Sequence, residues 1–391
     1  MSRRPLRIAI APDSFKGFLT SAQAADAIAA GLARSLPPGT VFDRIPMADG
    51  GEGTVDAWLA ATGAERVECD AEDPLGRPLR AAYGWRASDA TAVLELAAAS
   101  GLPLLAPDER DPAAASTFGT GLVLRDALAR GARRVVLGLG GSATNDGGAG
   151  IAQALGALLA DPSGAPLPRG GLALARLASL DLAPAAALLA NVRLEAACDV
   201  VNPLCGPDGA SAVYGPQKCA PALAADPARR DALLASLDAA LANLARVAAA
   251  ATGRDLSSAR GAGAAGGAGF GVLALLGGRL VSGATLVASA VRLSERVLSC
   301  DWVVAGEGRA DSQTLRGKAP SAVSAAARDA GIPFALCCGQ VAPDAGDFGG
   351  APVEGASAPG TVPASPAESA AALTAAAERL GRRLAATASA G

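Results

Sequence analysis

Residues 6–11 alternate Ile with Ala and predict a buried first strand, and residues 12–17, Pro-Asp-Ser-Phe-Lys-Gly, form the loop at its C-terminal end. Thr20-x-x-Gln23 is a capping box that opens a helix with Ala24, Ile28, Leu32 and Leu36 on one face. Pro37-Pro38-Gly39 stops it. Residues 41–45 give a second strand, Pro46 to Gly53 a second polar loop, and another helix begins near Thr54. This β-α-β-α start constrains the chain more than any other feature. Strands joined through helices lie parallel, with helices on the faces of their sheet. Ligands of such sheets bind outside the carboxyl ends of the strands. Asp13, Ser14, Lys16, Asp49, Gly50, Gly51 and Glu52 all fall there.

The pattern changes after Gly63. Residues 65–70, 77–86 and 92–96 read as short strands joined by turns such as Asp73-Pro74-Leu75-Gly76, an antiparallel meander and hence a second domain. Residues 116–121 cap a helix running to Gly131. Arg133 to Leu137 reads as a buried strand that leads into Gly138 to Gly148, and Gly150 to Leu159 reads as an Ala/Leu helix. The turn between them consists almost wholly of Gly, hydroxyls, an amide and one carboxylate. Two readings compete for it: an anion-binding nest at a helix N-terminus, or a tight connection that needs Gly for positive φ. Residues 192–198 form another apolar strand ending at Asp199, followed by turn chemistry at 202–207, an Ala-rich helix over 222–251 and a second Gly-rich turn at 261–271.

Doubly wound order returns near Ser294. Residues 301–305 predict a strand, 306–311 a polar loop, 320–330 a helix and 332–337 a strand. Residues 340–366 are loose apart from a short strand at 353–356, and a final helix covers 368–386. The predicted fold class is α/β in two domains. Residues 1–63 plus 294–391 build a doubly wound parallel sheet of the Rossmann or flavodoxin type. Residues 64–293 form an inserted α/β domain with a mixed sheet.

Composition narrows the function. With 51% hydrophobic residues but 3% aromatics in 391 residues, the cores must be Ala, Leu and Val. A net charge of −3 without a basic run argues against nucleic acid as a partner. The N-terminus leads straight into a strand without a signal-peptide pattern. The longest charge-free run, 261–278, contains eight Gly and falls short of the roughly 20 apolar residues that span a bilayer. No membrane association is expected. Seven Cys without a C-x-x-C pair, in a chain with no His, exclude a zinc-type site and fit reduced thiols in the cytoplasm. The lack of His also removes the usual general base. Proton chemistry falls to Asp, Glu, Lys, Cys, Tyr or a bound metal ion. The chain uses Arg for its ordinary basic charge, and its three Lys, at 16, 218 and 318, each stand in or beside a Gly-containing loop.

The acids placed after strands are Asp13, Asp49, Glu52, Asp146, Asp199, Glu307 and Asp311, and the cations are Lys16, Lys218, Arg309 and Lys318. Each acid taken singly is explained as a helix cap or a partner of a nearby Arg. Together, on Gly-rich loops, they fit a nucleotide–Mg2+ site, since Mg2+ takes one or two carboxylates plus phosphate oxygens. No Walker-type sequence follows the first strand. The run Gly138 to Ala143 is similar to the phosphate loop of GHMP-type kinases over six residues, without the Pro usual just upstream.

A wider set of stretches resembles the bacterial class I glycerate kinases. These are residues 11–17 (APDSFKG), 46–54 (PMADGGEGT), 138–148 (GLGGSATNDGG), 197–214 (ACDVVNPLCGPDGASAVY), 215–218 (GPQK), 261–271 and 306–320 (GEGRADSQTLRGKAP). They occur in family order over nearly the whole chain. Ala310 replaces a branched apolar residue and Cys219 a Gly, and the segment after Gly339 matches poorly. The resemblance implies ATP- and Mg2+-dependent phosphorylation of D-glycerate, with 2-phosphoglycerate as product. It also implies two α/β domains with the active site in the cleft between them. The chain is expected to act as a monomer or homodimer. The alternatives are another small-molecule kinase, for a GHMP-type sugar or a hydroxy acid, and a binding protein with a decayed site.

Asp199 is the expected base or orienter of the attacking hydroxyl, because it ends a buried strand in a chain without His; Asp311 is second. Lys16, Arg309 and Lys318 are the expected phosphate or carboxylate anchors. Asp13, Asp49 and Glu307 are the expected Mg2+ or substrate ligands. Ser14, Gly50, Gly51, Glu52, Gly140, Gly141, Ser142, Thr144, Asn145, Asp146, Asn202 and Lys218 complete the expected binding surface.

Overall fold

A computed structural model of the chain describes residues 4–15, 17–48, 53–311, 314 and 319–388. Its strands are β1 (Arg7–Pro12), β2 (Val41–Arg44), β3 (Glu65–Glu72), β4 (Pro78–Arg86), β5 (Thr91–Glu95), β6 (Arg134–Gly138), β7 (Leu158–Ala160), β8 (Ser179–Asp181), β9 (Arg193–Ala197), β10 (Arg279–Val281), β11 (Trp302–Ala310), β12 (Phe334–Val341) and β13 (Val353–Ser357). The chain divides into two compact units, one comprising 1–49, 56–64 and 282–391, the other 50–55 and 65–281. The first unit resumes at Ser282, earlier than the expected 294. The reason is that the apolar helix Gly283–Ala290 buries Ala284, Leu286 and Val287 and packs on the helix Ala319–Asp329 of the same unit.

The first unit holds a five-stranded sheet in the order β13-β12-β11-β1-β2, with every pair parallel. Numbered within the unit this is the flavodoxin order 2-1-3-4-5. The Thr20–Gln23 capping box forms as its spacing predicts and starts the helix Ser21–Ala33. That helix packs against Pro366–Ala388, burying Ile28, Leu32, Leu373 and Leu380 over Ile8 and Ile10. Gly31 permits the contact, because a Cβ there would stand 2.2 Å from the Thr374 carbonyl oxygen. The chain leaves β1 toward β2 on one side and β11 toward β12 on the other. The crevice outside the carboxyl ends of β1 and β11 is therefore the switch point at which such sheets bind ligands.

The second unit holds a six-stranded mixed sheet, β10-β9-β6-β5-β4-β3. The meander is present as two antiparallel pairs, β3–β4 and β4–β5, after which β6, β9 and β10 add in parallel. Glu195 of β9 fixes the register of the parallel half. Its carboxylate is buried and receives Arg134 of β6 at 2.9 Å, Arg193 at 2.8 Å and Arg279 of β10. The helix Pro227–Thr252 is long and apolar enough to cross a membrane by composition. In the fold its Ala240, Leu241, Leu244 and Ala248 are buried in the core of this unit.

Three expected boundaries shift. The helix predicted over 150–159 spans only Ala149–Ala154, because Gly156 turns the chain at φ +92 and Leu158–Ala160 pairs with β8 instead. The loop predicted from Gly306 is strand through Ala310, because β12 runs on to Val341 and supplies its backbone partners: Glu307 pairs with Cys338 and Arg309 with Gln340. The strand before Asp199 ends at Ala197, and Asp199 is exposed in the following loop.

Candidate active site

The first unit has a pocket of about 400 Å3 at its switch point. Asp13 and Ser14 reach it from the end of β1, Glu307 and Arg309 from β11, and Asp311 from just beyond. Asp13 is half-buried, and its carboxylate accepts the Ser14 N–H at 2.6 Å, while its own N–H donates to the Gly306 carbonyl at 2.8 Å. The bond to Gly306 ties the loop after β1 to β11. Glu307 is buried on β11 and Arg309 is exposed. Alternation along the strand keeps residues 307, 309 and 311 on one face. Asp311 is positioned through its N–H, which donates to the Thr314 hydroxyl at 2.8 Å. Burial and the nearby Glu307 charge push the Cys338 thiol up to about 12, so it is no nucleophile at neutral pH. Five sequence-predicted residues thus share one pocket. Lys16, Asp49, Gly50, Gly51, Glu52 and Lys318 lie outside the described residues.

The remaining predicted residues belong to the second unit. The turn after β6 exposes only its first part: Gly141 is exposed and Gly140 half-buried, while Ser142 through Gly150 are buried. The buried part is closed by its own hydrogen bonds. Ala143 N–H donates to the Ser100 carbonyl at 2.9 Å, and Gly147 N–H to the Gly266 carbonyl at 3.0 Å. The Asp146 carboxylate accepts from the Thr117 N–H at 2.7 Å and its hydroxyl at 2.9 Å, from Ser116 at 3.2 Å, and from the Gly148 and Gly150 N–H groups. Burial pushes the Asp146 carboxyl upward, and these donors offset part of the rise. Asp146 holds two helix starts to the turn, and no face of it is open to a ligand. Asn145 is buried as well, donating to Ser211 at 2.9 Å.

Lys218 is also buried. Its ammonium donates to the Thr144 carbonyl at 2.6 Å and lies 3.4 Å from the Ser142 hydroxyl. Burial brings its pKa down to about 7, against the opposing pull of Asp146. Lys218 therefore props the turn from beneath. Gly266, at φ +67, completes the support, since a Cβ there would stand 1.9 Å from the Thr144 carbonyl oxygen. Gly266→Ala combines this clash with a left-handed backbone and is expected to cost about 3 kcal/mol. Denaturant titration of the variant reads that loss; a midpoint equal to the parent's would contradict the close approach. Asn202 is half-buried, accepts from Tyr214 at 2.7 Å, and donates to the Asp208 carbonyl at 2.8 Å, which shapes the loop that carries Asp199.

With this geometry in place, similarity to known proteins decides the family. The glycerate kinase family pattern matches residues 8–389. A Bacillus subtilis protein named glycerate kinase is 45% identical over 339 residues, 87% of this chain and 86% of its own length. The chain belongs to the glycerate kinase family, and is an enzyme of that family. The glycerate 2-kinase of Escherichia coli K12 is 41% identical over 342 residues, 87% of each chain. The crystal structure of a Salmonella typhimurium LT2 protein assigned as glycerate kinase 2 superposes with a TM-score of 0.86 at 36% identity, covering 99% of this chain and 100% of that one. In this member of the family, sequence reasoning overlooked the pocket residues Phe18, Gln340 and Val362. Gln340 was legible in principle, because it follows the Cys-Cys-Gly run at the carboxyl end of β12.

Proposed function

We propose that this chain transfers the terminal phosphoryl group of ATP to the 2-hydroxyl of D-glycerate, giving 2-phosphoglycerate and ADP, in the cytoplasm. The observation that carries the reading is the switch-point pocket, in which Asp13, Glu307 and Asp311 meet Arg309 in a glycerate kinase family chain. A transferring phosphoryl group needs positioning and charge neutralisation more than covalent help. Arg309 offers a guanidinium for a phosphate or for the glycerate carboxylate. Asp199, or Asp311 in its place, accepts the proton of the attacking hydroxyl. The seven free thiols support a reducing compartment.

Mg2+ fits the donors present. Among the described residues no group of three or more His, Cys, Asp or Glu forms a protein-only metal cage, and Mg2+ beside phosphates requires only one or two carboxylates. Asp13 and Glu307 would hold it, with Asp49 the further candidate. When bound, the ion neutralises charge on the phosphates.

Glycerate-dependent ADP release, followed by phosphorus NMR of the product, tests the reading. A phosphorus doublet, from coupling to the single hydrogen at C2, is the expected result. A triplet, from the CH2 at C3, would move the reaction to the other hydroxyl. ADP release with a GHMP-type sugar but not with glycerate would replace the substrate.

A further inference from the structure

The switch-point pocket is lined by residues of two chemical kinds. Asp13, Glu307, Asp311 and Arg309 occupy the strand ends. The lining also includes the apolar Phe15, Phe18, Val362 and Pro363, with Ser357 and Ser369 among its further polar members. The lining includes Gly308 and Gly339 as well, which carry no side chains. Gly339 must be glycine, because a Cβ there would stand 2.4 Å from the Gly308 carbonyl oxygen.

The wall at Val362 is built and held. The Gln340 side-chain amide donates to the Thr361 carbonyl, and its oxygen accepts the Gly360 N–H at 3.3 Å. Gly360 takes φ +84, so the chain turns there. Val362 is 72% exposed, a large apolar side chain left at the pocket edge. The loop after β1 is closed by reciprocal bonds between Phe15 and Leu19, at 2.9 and 3.0 Å, and Phe15 and Phe18 line the pocket.

Glycerate has no use for such a wall. Each of its three carbons bears oxygen, so it has almost no apolar surface to bury. A pocket of about 400 Å3 lies in the range for larger ligands. Of the two proposed substrates, only the phosphoryl donor carries a flat heteroaromatic group beside its charged end. We propose that the apolar residues of this pocket, Phe18 and Val362 among them, with the Val362 segment pinned by Gln340, seat the purine nucleoside of the phosphoryl donor. The donor's phosphates then face the strand ends. This assignment rests on the proposed kinase reading.

The test uses the full chain and two substitutions, Val362→Ser and Gln340→Ala. Val362 is exposed, so its replacement leaves the core intact. Isothermal titration with ADP and with tripolyphosphate, in the absence of glycerate, reads binding directly. Turnover then gives KM for ATP and for glycerate. The expected result is a 5- to 10-fold weaker Kd for ADP and a matching rise in KM for ATP in both variants. Tripolyphosphate binding and the KM for glycerate should stay within twofold of the parent. Unchanged ADP affinity in both variants overturns the assignment, as does a rise in glycerate KM with ATP unaffected. The kinase reading fails separately: a parent that binds ADP, with that binding weakened in the variants, yet does not phosphorylate glycerate, would leave the nucleoside seat standing.

Discussion

Asp199→Asn is expected to lower kcat for glycerate phosphorylation by about 10² or more, the ordinary size of a general-base contribution. Asn keeps the size and one acceptor oxygen but cannot take a proton at neutral pH, so KM for both substrates should change far less than kcat. Asp199 is exposed in the loop after β9, and Asn202 braces that loop through Tyr214 and the Asp208 carbonyl. Asp311→Asn is the paired experiment, because Asp311 lies in the switch-point pocket on a backbone fixed by Thr314. If Asp199→Asn turns over at near-parental rate while Asp311→Asn loses the factor, Asp311 is the base. If both lose it, the double variant separates the roles. Two residues acting in one step give a loss well short of the product of the single losses.

Lys218→Met is expected to change how stability depends on pH. In the folded chain burial brings the Lys218 ammonium down to about 7, from an ordinary value of 10.5. Below the folded value both states bind the proton, and Lys218 contributes no slope. Between the two values the unfolded chain binds the proton and the folded chain has released it. Stability therefore rises with pH across that window, by up to about 1.4 kcal/mol per pH unit. Buried cysteines act in the opposite sense above their ordinary value of 9.0, because burial keeps thiols such as Cys69 and Cys205 protonated in the folded state. The quantity to read is thus the difference between parent and variant in urea titrations from pH 6.5 to 9. The parent should gain stability relative to Lys218→Met as pH rises. Parallel curves would show that the ammonium is not desolvated beneath Thr144.

The residues around Asp13 and those around Asp146 were equally visible in the sequence but meant different things. Both are acids in Gly-rich loops after apolar strands. Asp13 follows β1 at the switch point and lines a pocket. Asp146 is buried, with its carboxylate filled by Thr117, Ser116 and the Gly148 and Gly150 N–H groups. Local sequence cannot separate these cases, because hydroxyl donors thirty residues away decide whether a carboxylate faces inward. Lys218 shows the same limit. Its rarity marked it as unusual, yet only the packing of the Gly266 segment and the Ser142 turn shows that its ammonium holds a carbonyl.

The sequence by itself determined the α/β class, the opening β-α-β-α order, the first helix through its capping box and the family through motifs in fixed order. These follow from short-range periodicity and from residue types that suit few backbone conformations. Tertiary structure alone decided that β11 continues through Glu307 and Arg309, that Asp199 lies beyond its strand, and that Gln340 fastens a wall carrying Val362. In each case the deciding partner is remote in the chain or on a neighbouring strand. Backbone pairing, burial and closed hydrogen bonds are set by what packs there, and periodicity along one segment carries no record of it.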